Sequence, residues 1–133
     1  MQPTQVPVTT AGDPKPCVGE TLRAAALYLS RHGWVQGSYY DQTATVFTPA
    51  ACLVGALAMV CYGGPVEAPA EHLDTPEGAM FEAALSYLDG FLRIHHGVIA
   101  YEFNDAKGRT LGEVLAVLEE AAQVLDRLHG GAP

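Results

Sequence analysis

The chain has 133 residues, 49% of them apolar, and its fifteen Asp and Glu against seven Lys and Arg give a formal charge of −8. That length suits one domain with its own core, and no uncharged apolar run approaches the roughly 18–20 residues of a membrane span. The acidic surplus repels phosphate backbones, so direct nucleic-acid binding is not expected. Cys17, Cys52 and Cys61 are too few and too unevenly spaced for a disulfide framework, which points to reduced thiols. No basic region followed by an apolar block opens the chain, so the expected location is cytoplasmic.

Residues 1–16 hold four prolines and several threonines with few large apolar side chains, and they are expected to form a flexible arm. Residues 17–133 then read as one helical domain. From Glu20, Leu22, Ala25, Ala26 and Leu29 recur on one helical face, Gly33 supplies a stop, and Trp34 is expected to fold back over the helix end. Val35 to Phe47 is rich in Tyr, Thr and Val around Asp41-Gln42, which predicts a small β-hairpin. Thr48-Pro49 has the form of an N-cap followed by proline at the first helical position, so a helix is expected over Ala50 to Tyr62. That segment carries no charge, and an apolar helix without a polar face belongs at the centre of a bundle.

Thr75-Pro76-Glu77 repeats the cap-plus-proline start. Met80, Phe81, Ala84, Leu85, Leu88, Phe91 and Leu92 continue as an apolar helical stripe, weakened locally at Gly90 and closed by His95-His96-Gly97. Val98 to Phe103 alternates well enough for a strand but also suits an irregular connector. The clearest helix starts at Leu111, with Thr110 and Glu113 as a capping box, and runs to Gly130-Gly131. The expected fold class is therefore mainly α, a four-helix bundle with a small β-hairpin. The alternative is α+β, with residues 98–103 adding a third strand to the hairpin.

Gly33-Trp34 with Gly37, Cys52-Leu53-Val54-Gly55-Ala56, Asn104-Asp105, Arg109-Thr110 and Glu113-Val114 together form a pattern of GW, CxxGA, (W/F)ND and RTxxEV. The pattern resembles that of a family of small uncharacterised proteins of actinobacteria and their phages, with Phe103 where the family often has tryptophan. The resemblance implies kinship and host range, and it brings no activity with it.

Three constellations offer chemistry. Cys52 near a helix start, His95 or His96, and Asn104 or Asp105 follow the chain order of papain-like hydrolases, a basis for a cysteine-dependent hydrolase or transferase. A buried free cysteine also packs simply as a small apolar residue. A metal held by His95 and His96 with His72, Asp74 or Asp105 is disfavoured, because adjacent helical histidines diverge by about 100° and no His-x-x-x-His or Cys-x-x-Cys is present; no metal or cofactor is expected. Asn104, Asp105, Lys107 and Arg109 offer a recognition surface, or else local turn bonds with Arg109 paired to Asp105 or Glu113. Tyr39 and Tyr40, beside Asp41, are further interface candidates. The expected function is a small accessory or protein-interaction domain, phage-encoded and acting on a host protein. Its partner is an unidentified protein, a homodimer is compatible with the same surfaces, and neither nucleic acid nor membrane is expected as a partner.

Overall fold

A computed structural model describes residues 17–66 and 69–129. They form five α-helices: α1 (Val18–His32), α2 (Leu53–Tyr62), α3 (Pro76–His96), α4 (Ala100–Asp105) and α5 (Leu111–His129), with a 3-10 turn at Pro69–His72. The chain is mainly α, as its periodicity predicts. The proline- and threonine-rich arm and the terminal Gly130-Gly131 lie outside the described residues.

The apolar segment without a polar face does form the centre. Leu53, Val54, Ala56, Leu57 and Ala58 of α2 are fully buried, and α1, α3 and α4 all pack on this helix. Burying each leucine contributes about 1.5–3 kcal/mol. α1 presents Leu22, Ala25 and Leu29 to the core, while α5 presents Val114, Val117, Leu118, Ala121 and Ala122. The Arg23 guanidinium on α1 reaches Glu119 at 3.3 Å and Asp126 at 2.7 Å on α5. These pairs are exposed, so they set register more than they add stability. α3 is capped by Thr75, whose hydroxyl accepts from the Gly78 N–H, and it continues through Gly90 to a left-handed Gly97.

Two expectations fail between α1 and α2. No strand forms among the described residues, so the hairpin over Val35 to Phe47 is absent; Trp34 and Tyr40 instead make isolated bridges to Ala51. The backbone pairs that a hairpin would have made within itself go to residues 50–52. Val35 N–H donates to Ala51 O and Ala51 N–H to Gly33 O, while Asp41 N–H donates to Ala50 O and Cys52 N–H to Tyr39 O. The Asp41 carboxylate turns the chain by accepting from Thr43 N–H and its hydroxyl, and Val46 and Phe47 emerge 61% and 69% exposed. Because Ala50 and Ala51 are engaged in this extended pairing, the helix starts at Leu53 with Cys52 as its N-cap, not at Thr48-Pro49.

The alternative third strand is also absent. Residues 100–105 are helical, because Ala100, Phe103 and Asn104, all buried, fall at i, i+3 and i+4. The Asp89 carboxylate accepts from Ala100 N–H at 2.7 Å and that of Glu102 from Ile99 N–H at 3.1 Å, engaging two amides at the helix start. The expected four helices are thus joined by a fifth, and the expected sheet is replaced by a backbone clasp around Ala51.

Gly55 shows how tightly this clasp is held. A Cβ there would overlap the Tyr39 carbonyl group, which is backbone and cannot swing aside. Alanine favours a helix by about 0.8–1.0 kcal/mol over glycine, but the overlap reverses the sign: Gly55→Ala should destabilise the fold by about 1–3 kcal/mol. A urea melt checks this, and an unchanged or raised midpoint would show that the loop is free to yield.

Candidate functional site

Asn104, on the last turn of α4, is the one buried polar side chain recorded among the described residues, at 1% exposure. Its Oδ1 accepts from the Trp34 indole N–H at 2.6 Å and from Leu53 N–H at 2.9 Å. Its Nδ2 donates to Val35 O at 3.2 Å and to Asp105 Oδ1 at 2.8 Å. A carboxamide has two donors and two acceptor lone pairs, so all four positions are filled. Leu53 N–H is one of the orphan donors of α2, which a side chain from fifty-one residues away therefore caps.

The neighbours reinforce this junction. Gln36 Nε2 donates to the carbonyls of Asn104 and Ala106, closing the C-terminal end of α4. Asp105 Oδ1 also accepts from Gly37 N–H at 3.0 Å, and Gly37 has the positive φ of 86° that favours glycine. Arg109 lies 3.7 Å above the Phe103 ring centroid, donates from Nε to Phe103 O at 2.8 Å, and pairs with Glu113 at 3.3 Å rather than with Asp105. Thr110 and Glu113 make the expected capping box at 3.0 and 3.2 Å. The Thr110 N–H, followed by the Arg109 guanidinium, holds the Glu113 carboxyl below its ordinary range.

Beside this junction opens a cleft of about 360 Å³, bounded among others by Tyr39, Gln42, Cys52, Tyr101, Asn104 and Asp105. Four sequence candidates therefore meet here: Cys52, Asn104, Asp105 and Tyr39. His95, His96, Arg109, Lys107 and Tyr40 are not among its lining residues. His95 stacks on Phe91 with centroids 4.3 Å apart, and His96 meets the Phe103 ring edge-on at 5.2 Å. Arg109 serves the α4–α5 connection. The Tyr40 phenol bonds both to Val66 O and to Val66 N–H. The side chain of His72 lies outside the described residues, and no group of three His, Cys, Asp or Glu suited to a metal occurs among those described.

Cys52 sits in the cleft as a helix cap. It is 5% exposed and its Sγ accepts from Gly55 N–H at 3.2 Å. Burial pushes its thiol up, and the nearby Asp105 charge adds to that, so the thiol stays protonated at neutral pH despite the helix N-terminus. Sequence reasoning passed over Tyr101. Its hydroxyl lies 2.8 Å from that of Tyr39, and burial followed by that hydrogen bond raises its pKa. Its signal was masked by the apparent strand alternation of residues 98–103.

Two measurements check this arrangement. Asn104→Ala should remove about 2–5 kcal/mol of stability by leaving the Trp34, Leu53 and Val35 groups unpaired; a denaturation midpoint within error of the parent would contradict that. Iodoacetamide at pH 7 should modify exposed Cys17 in the native protein and Cys52 only after unfolding. Burial pushes Cys61 to about 11, so it too should react slowly. Mass spectrometry of the labelled peptides would expose a reactive Cys52 directly.

No curated protein and no solved structure matches the chain. The chain belongs to the family of unknown function DUF6197, which matches it over residues 14–124.

Proposed function

We propose that this member of a family of unknown function is a non-catalytic interaction domain that engages a protein partner at the cleft between Tyr39, Gln42, Tyr101 and Asp105. The observation that carries the reading is the division of the six tyrosines. Four phenols donate to backbone carbonyls of the fold: Tyr28 to Pro49, Tyr40 to Val66, Tyr62 to Pro69 and Tyr87 to Ala121. Tyr39 and Tyr101 instead bond to one another, and both line the cleft. Aromatic side chains with a polar tip are favoured anchors of protein contacts.

A cysteine-dependent hydrolase or transferase has less support. Such chemistry needs a thiolate beside an imidazole. Here the thiol is capped and protonated, both candidate histidines stack elsewhere, and the Asn104 amide is fully engaged. The sequence resemblance supports an actinobacterial or phage source, a host protein is the partner proposed with it, and free cysteines suit a cytoplasmic setting. Association with a second copy is the competing use of the same surface.

A photo-crosslinking amino acid at position 42, where Gln42 is exposed on the cleft rim, tests the reading. In lysate of the source organism it should give a discrete adduct that excess unlabelled domain competes away and that survives Cys52→Ser. The same probe at exposed Ser86 on α3 should not. Equal adducts at both positions, or none at position 42, would remove the cleft as the contact.

A further inference from the structure

We infer that the cleft receives an arginine side chain of the partner, an assignment that rests on the interaction reading above and specifies its chemistry. Among the residues lining the cleft there is no Lys, Arg or His, and the one acidic side chain is that of Asp105. Burial pushes the Cys52 thiol up, and partial desolvation with the Tyr39 hydrogen bond pushes the Tyr101 phenol up. The site is therefore anionic on a chain whose formal charge is already −8, and a cation approaches with the field rather than against it.

The acceptor arrangement narrows the cation. Both bonds to Asp105 within the described residues fall on Oδ1, from Gly37 N–H and Asn104 Nδ2. Oδ2 takes neither, so the carboxylate is anchored by one oxygen and offers the other. Tyr39 and Tyr101 share one hydrogen between their hydroxyls at 2.8 Å, which leaves oxygen lone pairs on both, and their rings stand 6.1 Å apart in a tilted pair. The rim adds the Gln42 carboxamide. A guanidinium supplies a planar face for an aromatic ring and several fixed donors for separated oxygen acceptors, whereas an ammonium is a compact and strongly hydrated point charge. A volume of about 360 Å³ admits one long side chain and the backbone that carries it, not a helix.

The same stacking already occurs within the molecule. Arg109 lies over the Phe103 ring while donating to the Phe103 carbonyl and to Glu113. The cleft offers the corresponding set of ring, oxygen and carboxylate on the other side of α4, with no cation of its own among the lining residues.

The test uses the full chain labelled with ¹⁵N and titrated with the blocked tripeptide acetyl-Gly-Arg-Gly-amide. Its citrulline counterpart is nearly the same shape without the charge. The arginine peptide should shift the amide signals of Gly37, Ser38, Gln42 and Asp105, and the citrulline peptide should bind at least tenfold more weakly. Asp105→Asn keeps an Oδ1 acceptor for Gly37 and Asn104, so it should remain folded, with at most a modest fall in melting midpoint, while weakening the arginine peptide about tenfold to hundredfold. Should that variant be unstable, Tyr101→Leu, at a partly exposed ring, gives a second reading by the same titration. Equal binding of the two peptides, undiminished binding to a folded Asp105→Asn, shifts confined to another surface, or no shift at millimolar peptide each overturns the arginine assignment. A position-42 adduct that persists in any of those cases leaves the interaction reading standing, whereas its loss removes that reading separately.

Discussion

One carboxamide holds the parts of this fold together. Asn104 joins the segment after α1, the start of α2 and the end of α4, and it does so with every donor and acceptor in use. In a low-dielectric interior such a network is stable only when complete, because a single unpaired member costs more than a typical bond contributes. The surrounding sequence is consistent with that demand. Gln36 and Arg109 close the carbonyl end of α4, Asp89 closes its amide end, and Gly55 and Gly37 let backbones approach where a side chain would obstruct them or the conformation is left-handed. Six residues would be a marginal helix alone. Here both ends are held from outside.

This explains why the residues that suggest chemistry are arranged as they are. Cys, His, Asn and Asp in hydrolase-like order are compatible with catalysis on paper, but in space Asn104 is an internal fastener and Cys52 a helix cap, while the histidines pack against phenylalanines. The Gly-Trp, Cys-x-x-Gly-Ala, Asn-Asp and Arg-Thr segments that carry the family resemblance meet around one junction, and most of their polar groups serve it. Beside the junction, Tyr39 and Tyr101 line the cleft, and the bonds to Asp105 leave its Oδ2 unused. The walls of the cleft are thus held by the same bonds that hold the fold.

Much of the helical layout was legible in the residues. α1, α3 and α5 follow from apolar spacing of three and four, and the Thr75 cap and the Thr110–Glu113 box are local signals that need no distant partner. The errors lie where a segment's partner is outside the segment itself. Val35 to Phe47 has strand-like composition, but its backbone pairs with Ala50 to Cys52, and that pairing also displaced the helix start that Thr48-Pro49 suggested. Residues 98–103 fit alternation and helical spacing equally well, and the choice was made by Asp89 and by side chains docking on the far end. Asn104 could be named as a candidate from its polarity, but its role depends on Trp34 and Leu53, seventy and fifty-one positions away.

That separation along the chain has a kinetic meaning. During synthesis α2 emerges as an uncharged apolar segment whose first-turn amide has no side-chain acceptor until residue 104 has also left the ribosome. Loop closure over such distances must precede the contacts that compensate for it, so completion of the Asn104 junction waits for the later part of the chain. Over that interval the uncharged α2 segment has no core to bury it, while the formal charge of −8 on the whole chain opposes contact between copies.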